Sequence, residues 1–306
     1  YTQLKVDAPM ASNRFPNRVL AVSSDDRYLV NGSDSSYVQI YSMTNPGTPV
    51  LALGHRAAVT DLHFLPGSHQ FLSVSSDLTV RLTDAESGKG KQILKLPYDL
   101  KSIDVTRDGK WMAGASSTGK LILVSLVDYT VRILKDDAPQ RFLSVAFHPT
   151  RPLVAVGTEL LNDKGLPYRG TVRIYNYETD KLYKELPGHR AGVSDIEFSP
   201  DGLLLASAGL DRKMQMWVVD HEDDLPVEMD NNNGYVWRLG FSKDANYLVA
   251  SCNNGEIRVY PTNPDMLAEQ VCPELKRNMS PEEWQIYVGN GITYEATCKS
   301  LLIKDF

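Results

Sequence analysis

The stretch that decides the fold runs from Gly188 to Trp217 and reads GHRAGVSDIEFSPDGLLLASAGLDRKMQMW. It joins a Gly-His pair to three short apolar runs, which are separated by a Ser-Pro-Asp-Gly turn and a second turn that contains Asp211. Less complete copies of this pattern align on the position of Phe198, and the six aligned residues are Val22, Phe64, Val105, Phe147, Phe198 and Phe241. The intervals between them are 42, 41, 42, 51 and 43 residues, so one unit is repeated six times.

A repeat of this length predicts one four-stranded blade of a β-propeller in each copy. In the fullest copy we predict Val193–Phe198 as the innermost strand, Leu204–Ala208 as the second and Lys213–Val219 as the third. Lys181–Leu186 is the outer strand of the preceding blade. The same scheme covers Arg18–Ala52, Ala58–Leu96, Leu100–Leu134, Phe142–Leu186 and Val236–Thr262. The predicted fold is therefore all-β.

The repeats resemble those of the WD-repeat family of β-propellers, and the resemblance covers roughly residues 1–262. In that family a His, a Ser or Thr, an Asp and a Trp form a hydrogen-bonded relay within a blade. The residues that match all four positions in the fullest copy are His189, Ser207, Asp211 and Trp217. The second copy matches with His55, Ser73 and Asp77 but has Thr83 at the Trp position; elsewhere that position holds Tyr41, Val124, Tyr175 and Tyr260. The resemblance implies that these histidines are structural, and neither has a Cys or His neighbour at the spacing of a zinc site.

The number of blades stays open between six and seven. Six innermost strands are visible, whereas seven blades are the commonest number in the family. Tyr1–Val6 has the pattern of an outer strand. It either pairs with the last blade and closes a six-bladed ring, or belongs to a seventh blade upstream. Because the chain begins with Tyr1 rather than Met, as a fragment or processed form does, we slightly favour a seven-bladed parent.

The pattern changes after Thr262, which divides the chain into a propeller over residues 1–262 and a helical tail over 263–306. Apolar residues in Pro264–Leu275 recur near helical spacing. The segment Ser280-Pro281-Glu282-Glu283 is a capping box, and it predicts a helix over Pro281–Val288 that stops at Gly289. We expect Trp284 and Tyr287, three residues apart, to pack the tail onto the propeller.

The tail also resembles the segment that follows WD repeats in large bacterial proteins, including membrane-associated NTPases of the STAND type in Bacteroidetes-like genomes. The residues that carry this resemblance are Cys272, Lys276-Arg277-Asn278-Met279, Glu283-Trp284, Tyr287, Tyr294 and Thr297-Cys298. Cys272 and Cys298 fall where that tail has its cysteines. They are either a disulfide, which implies an extracytoplasmic location, or two reduced buried thiols. The third cysteine, Cys252, is expected in the core of the last blade.

Bulk properties and missing motifs exclude several function classes. A net charge of −6 and a pI near 5.6 give no general attraction to nucleic acid or anionic membranes. No apolar run approaches the roughly 18 residues of a membrane span. Phosphate-binding loops of the Walker type, Gly-x-Ser-x-Gly elbows and His-Glu-x-x-His helices are missing from the sequence. The paired carboxylates Asp25-Asp26, Asp136-Asp137 and Asp223-Asp224 lie in predicted turns. We therefore predict no catalytic residues, no cofactor and no metal.

The family resemblance places partner-binding residues on the top face of the propeller, around the mouth of its central channel. They lie four and six residues before the Phe198-type position and just before the relay Asp position. The set comprises Arg18, Asp34, Asp99, Lys101, Arg141, Tyr168, Ser194, Tyr235, Trp237 and Asn253. Aromatic and Arg side chains are typical interface anchors, so Tyr235, Trp237 and Arg141 are the strongest candidates. Packing in a blade that lacks its relay Trp is the alternative role for Trp237.

The interval of 51 residues arises from an insertion, Leu160–Arg169, between the second and third strands of the fourth blade. We predict a loop on the top face, which is either a recognition element or a neutral insertion.

These features favour a non-enzymatic scaffold or sensor module of a larger bacterial protein, binding protein partners or other domains of its parent. Nucleic acid and direct membrane insertion are not expected for this part of the chain. The first alternative is a small-ligand sensor, which requires a pocket at the channel mouth. The second is an enzyme, which requires acidic or His residues that converge in the channel. A cytoplasmic location and the extracytoplasmic side of a membrane-anchored parent are both compatible with the sequence.

Overall fold

The fold is taken from a computed structural model, which describes residues 17–34, 36–44, 49–220, 225–230, 233–288, 293–296, 298 and 301. These residues form six antiparallel sheets, which we number blades 1 to 6 in chain order. The strands of blades 1 to 3 are β1 Asn17–Val22, β2 Tyr28–Ser33, β3 Val38–Ser42, β4 Val50–Ala52, β5 Val59–Phe64, β6 Gln70–Ser75, β7 Thr79–Asp84, β8 Gly90–Lys95, β9 Ser102–Val105, β10 Trp111–Ala115, β11 Lys120–Ser125 and β12 Val131–Asp136. Those of blades 4 to 6 are β13 Arg141–Phe147, β14 Leu153–Leu161, β15 Pro167–Asn176, β16 Lys181–His189, β17 Val193–Phe198, β18 Leu204–Gly209, β19 Met214–Val218, β20 Val227–Met229, β21 Val236–Phe241, β22 Tyr247–Cys252 and β23 Ile257–Pro261. The predicted all-β propeller is confirmed, with six blades in the described residues.

A polar turn joins the first two strands of a blade, and its sequence explains its shape. In blade 5 the Ser199 hydroxyl donates to Asp201 Oδ1 over 2.5 Å and accepts from the Leu204 amide over 2.9 Å. Gly202 has φ of +77°, and a Cβ there would lie 2.5 Å from Cε1 of His148. Asp, Ser and Gly are therefore required in this turn for separate physical reasons. Ser242 and Asp244 repeat the hydroxyl–carboxylate contact in blade 6.

The hydrophobic core lies between neighbouring blades rather than in one central cluster. One cluster joins blades 4 and 5 and contains Ile174, Val193 and Trp217; a second joins blades 3 and 4 around Phe142. The inner strands of neighbouring blades run side by side, since carboxylates of one strand accept from amides of the next. Asp61 accepts from the Ile103 amide over 2.8 Å, and Asp195 from the Leu239 amide over 2.7 Å. All inner strands therefore begin at the same end of the disc, which we call the top face.

The His, Ser and Asp positions of the relay are hydrogen-bonded to one another in blades 2 and 5. His189 Nε2 lies 2.7 Å from Ser207 Oγ, and its Nδ1 lies 3.1 Å from Asp211 Oδ1. Trp217 is buried in the cluster between blades 4 and 5. In blade 2 His55 contacts Ser73 over 2.8 Å and Asp77 over 3.2 Å. Both histidines thus connect the end of one blade to the second strand of the following blade and to the turn after that strand.

In blade 2 burial lowers the pKa of His55, which keeps the imidazole neutral. Burial alone would raise the pKa of Asp77, but hydrogen bonds from Thr79 and from the Arg56 amide lower it to about 2. A neutral imidazole beside a bound carboxylate is an arrangement of structural polar groups.

The sheets give six blades within the described residues, and the preference for a seventh finds no support there. Blades 6 and 1 are joined by an ion pair of 2.7 Å between Lys243 Nζ and Asp26 Oδ2. Blade 6 has three strands in the described part of the chain. The predicted strand Tyr1–Val6 lies outside the described residues.

The insertion in blade 4 is not the loop that the sequence predicts. β14 and β15 continue through it as a long hairpin, with Leu160 paired to Arg169 and Leu161 to Pro167. Only a tight turn remains, in which the Asn162 side chain accepts from the Lys164 and Leu166 amides, both over 3.0 Å. Backbone pairing makes this projection a rigid extension of blade 4.

The tail holds two short α-helices, α1 Pro264–Val271 and α2 Pro281–Tyr287, with a 3₁₀ turn Cys272–Glu274 after the first. The predicted capping box at Ser280 and Glu283 starts α2. Cys272 and Cys298 form a disulfide. The predicted packing role of Tyr287 is wrong, because its side chain is 75% exposed.

The rest of the tail organises around its own residues. Trp284 packs edge-on against Tyr294 with ring centroids 5.5 Å apart. The buried Asn278 donates to the carbonyls of Cys298 and Leu301 over 2.8 and 2.9 Å, and accepts from the Cys298 amide over 2.8 Å. In the described part of the chain no helix has the length and apolarity needed to cross a membrane.

Candidate interaction surface and channel

A shared β-bulge sets the direction of side chains at the top face. In five inner strands the pairing with the second strand skips one residue near the strand's start, and the skipped residues are Arg18, Thr60, Leu143, Ser194 and Trp237. A bulge bends its strand and re-aims the extra side chain. These are the residues four before the Phe198-type position, so the top-face position of the family coincides here with a backbone irregularity.

Tyr235 and Trp237 of blade 6, together with Arg212 of blade 5, form a group on this face that we call the aromatic cluster. Tyr235 and Trp237 are 39% and 51% exposed. The Asn253 amide donates to the Tyr235 carbonyl over 2.9 Å, which places Asn253 beside this pair. The Arg212 guanidinium of blade 5 lies 5.7 Å from the centre of the Tyr235 ring. Exposed aromatic side chains on a rigid scaffold are typical of interface anchors.

Two further predicted residues are already paired to each other on blade 3. Lys101 Nζ lies 2.6 Å from Asp99 Oδ2, and the Ser117 hydroxyl donates to Asp99 over 2.8 Å. Although burial raises the pKa of Asp99, its hydrogen bonds from Lys101 and Ser117 lower it overall. This part of the face is a fixed ion pair that presents both charges.

Arg141 does not join the aromatic cluster. It lies on blade 4, with blade 5 between it and Trp237, and its Nη1 contacts Glu159 Oε2 over 2.8 Å. Glu159 is buried. Because the guanidinium compensates a buried carboxylate, its first role is structural.

The remaining predicted residues lie in different settings. Tyr168 is 55% exposed on the blade 4 hairpin, close in sequence to the exposed Leu166. Asp34 is half-buried. The Ser194 hydroxyl donates to the Val236 carbonyl over 2.6 Å, which ties blade 5 to blade 6. Arg18 belongs to β1, but its side chain lies outside the described part of the structure.

The central channel contains a cluster of charged residues that the sequence did not predict. Arg238 of β21 contacts Asp61 Oδ1 over 2.7 Å through Nη2 and Asp195 Oδ1 over 3.4 Å through Nη1. The side chains of Asp61 and Asp195 are only 4% and 8% exposed. Burial raises the pKa of Asp195 to about 6 even though Arg238 opposes the shift. This three-residue group connects blades 2, 5 and 6.

A second pair lies further along the channel, toward the bottom face. His63 Nε2 lies 2.9 Å from Asp104 Oδ1, and its Nδ1 lies 2.7 Å from the Phe64 carbonyl. Since both ring nitrogens face acceptors, the imidazolium form is favoured. Burial opposes that charge, but the hydrogen bond and charge of Asp104 raise the pKa of His63 to about 9.

These channel residues occupy the positions three and one before the Phe198-type residue. Polar residues recur at those two positions, as in Asp61, His63, Asp195 and Glu197. This recurrence is the sequence signal that could have identified the channel residues. Among the described residues no group of three or more His, Cys, Asp or Glu side chains is arranged to hold a metal ion.

Fold and site geometry define the protein as a six-bladed β-propeller with an aromatic patch on one face and a charged channel. The family described as "WD domain, G-beta repeat" matches residues 47–84, 180–218 and 227–260. These segments take in parts of blades 1, 2, 4, 5 and 6. The chain therefore contains WD40 repeats, as the sequence resemblance predicts.

Curated relatives are similar at low identity. The chain is 26% identical over 196 residues to a serine-threonine kinase receptor-associated protein of Gallus gallus, covering 64% of this chain and 53% of that protein. It is 24% identical over 248 residues to periodic tryptophan protein 2 of Arabidopsis thaliana, covering 81% and 22%. With transcription initiation factor TFIID subunit 5 of Caenorhabditis elegans it shares 22% identity over 245 residues, covering 77% and 35%. The chain thus spans about half or less of the length of these relatives.

Proposed function

We propose that this propeller is a non-enzymatic scaffold that binds a protein partner through its top face. The observation that carries the proposal is the pair Tyr235 and Trp237, both exposed, of which Trp237 lies on the paired strand β21 and Tyr235 directly before it. Large aromatic side chains in such positions supply contact area at low cost in side-chain entropy.

The proposed surface is an arc over blades 4 to 6. The aromatic cluster forms one end, and the rigid hairpin with Leu166 and Tyr168 forms the other. Second strands run toward the top face in every blade, so the hairpin between β14 and β15 projects there. Arg190 and Arg212 are exposed on blade 5 between the two ends. An acidic segment with apolar residues has the complementary chemistry.

The names of the relatives agree with a role in assemblies. One is called receptor-associated and another is called a subunit of an initiation factor. We carry over to this chain only the general property of binding other proteins. The partner is a separate protein or another domain of the same parent. The large bacterial parent, and the extracytoplasmic location favoured by the tail disulfide, belong to this proposal as inferences from the tail's resemblance.

A small-ligand sensor is the second candidate. It is favoured by one observation, a cavity of about 470 Å³ in the channel, whose lining includes His63, Asp104, Glu197 and Arg238. This cavity opens toward the turns after the inner strands, at the bottom face, and so lies at the opposite end from the aromatic cluster.

Partner capture from a lysate of the source organism tests the scaffold proposal. The immobilised chain is compared with the double variant Tyr235→Ala/Trp237→Ala. The matched control is Val127→Ala/Leu203→Ala, which removes two exposed apolar side chains from turns on the bottom face. The proposal is supported if the captured proteins are lost with Tyr235→Ala/Trp237→Ala and retained with the control variant. Equal capture by wild type and the Tyr235/Trp237 variant refutes it.

A further inference from the structure

The lower channel, lined by His63, Asp104, Asp195, Glu197 and Arg238, holds more acidic than basic side chains. Arg238 pairs with Asp61 and Asp195, and His63 pairs with Asp104. Arg107 at the bottom mouth donates to the Pro200 carbonyl over 3.2 Å. Asp61 lies just behind the lining and is included because it is bonded to Arg238. The lower channel thus holds four carboxyl groups and three basic side chains, which are Asp61, Asp104, Asp195 and Glu197 against His63, Arg107 and Arg238.

Glu197 is the carboxyl group left over. It is half-buried in β17 and lines the cavity. Among the described residues no hydrogen bond or ion pair to its carboxyl group is present, whereas every other charge of the lower channel has a partner. A carboxyl group held in a concave site without a counter-charge is disfavoured in its ionised form, and a cation that fits beside it stabilises that form.

Size and chemistry narrow the class of cation. About 470 Å³ accommodates a small organic molecule. A metal ion is disfavoured because the described carboxyl and imidazole groups do not converge as a ligand set. Because Arg107 reaches from blade 3 to blade 5 across the mouth, the cavity suits a small free molecule better than a protein segment.

We propose that the lower channel binds a small organic monocation, an alkylammonium or alkylguanidinium group, which pairs with Glu197. The apolar part of such a ligand contacts Ala21, Val145 and Ala146, which also line the cavity. The inference does not depend on the top-face scaffold function, because it concerns the opposite end of the channel.

Titration of the site supports this assignment. Burial, followed by the charges of Asp195 and Asp104, raises the pKa of Glu197 to about 8, while His63 and Arg238 act in the opposite direction. His148, the other titratable side chain of the lining, has its pKa lowered by burial. At neutral pH the ligand-free site therefore holds Glu197 largely protonated. A bound cation favours the carboxylate, so binding releases a proton and strengthens as the pH rises toward 8.

Calorimetric titration of the chain with n-butylguanidine at pH 7, in buffers of different ionisation enthalpy, tests the proposal. We expect one binding event with release of about one proton per ligand. Glu197→Gln keeps the side chain's shape, removes the charge, and should weaken binding about tenfold or more and abolish the proton release. Glu178→Gln makes the same change on an exposed turn and should leave both unchanged. n-Butanol, the neutral probe, should not bind.

Absence of saturable binding by wild type, or equal binding by wild type and Glu197→Gln, overturns the proposal. Because proton release is measured on wild type, the test holds even if the variant fails to fold. Binding without any proton release also overturns it, and a calcium titration that displaces the guanidine would assign the site to a metal instead.

Discussion

Arg238 places its Nη2 atom 2.7 Å from Oδ1 of Asp61, so one side chain of blade 6 bridges the channel to an inner strand 177 residues away in sequence. Its second nitrogen reaches Asp195 of blade 5. Blades 6 and 1 are the two ends of the repeat array and are not consecutive in the chain. A bridge between the last blades and the second therefore helps to hold these ends together.

Replacement of Arg238 should therefore destabilise the whole ring. Arg238→Met leaves Asp61 and Asp195 buried without their counter-charge, and we expect a loss of about 2–3 kcal/mol in the free energy of unfolding. Lys243→Met removes the exposed ion pair to Asp26 between blades 6 and 1, and should cost less than about 0.5 kcal/mol. Urea unfolding followed by tryptophan fluorescence measures both. Equal stability of the two variants would show that the channel bridge adds nothing.

The channel also makes stability depend on pH in the alkaline direction. The pKa of His63 is raised to about 9 and that of Glu197 to about 8, so the folded state holds both protons more tightly than the unfolded chain. For groups with raised folded-state pKa values, the contribution is complete below the unfolded value and is lost as the pH rises through the folded one. We therefore expect the free energy of unfolding to fall between pH 6.5 and pH 9.

Two variants separate these contributions. Glu197→Gln should make the decline shallower below pH 8, and His63→Gln should make it shallower up to pH 9. The measurement is urea unfolding at a series of pH values. Stability that is constant or rises over this range in wild type would contradict the assigned protonation states.

The repeat register predicts much of this structure, because each blade repeats the same local contacts. Gly-His, Ser and Asp recur at fixed spacing, so the bonds of His55 and His189 follow from alignment alone. The top-face positions also follow from the register. What the register omits is the bulge at Trp237, which depends on how two strands pair and not on residue type.

Contacts between distant blades are beyond a one-dimensional pattern. Nothing local in the sequence relates Arg238 to Asp61, and only closure of the ring brings them together. Asn162, Gly165 and Pro167 are typical of turns and so predict a loop, yet strand pairing continues almost to the tip of the blade 4 hairpin. Helical spacing predicts that Tyr287 packs together with Trp284. Spacing shows which residues share a face, however, and not whether anything covers that face, and Tyr287 is exposed.

The hairpin should matter for binding and not for stability. Leu166→Ser/Tyr168→Ser alters two exposed side chains, so the free energy of unfolding should change by less than about 0.5 kcal/mol. Partner capture should nevertheless weaken. Leu182→Ser, an exposed position on the outer strand of the same blade, is the control and should leave capture unchanged. Full capture by the hairpin variant would restrict the interaction surface to blades 5 and 6.

Loss of the disulfide should loosen the tail and spare the propeller. The Cys272–Cys298 bond closes a loop with a sequence separation of 26, for which loop entropy gives about 3.5 kcal/mol. In Cys272→Ser/Cys298→Ser, the α2 amides that bond back to Ser280 and Trp284 should exchange with solvent much faster. Amides of β17 should keep their protection. Faster exchange in both would show that the tail and propeller unfold as one unit.

The scaffold function is tested most directly by photo-crosslinking to the captured partner. Benzoylphenylalanine is placed at Asn253, beside Tyr235 on the top face, and separately at the exposed Val127 on the bottom face. A covalent adduct with the partner from position 253 and none from position 127 is the predicted result. An adduct from position 127 alone would contradict binding through the top face.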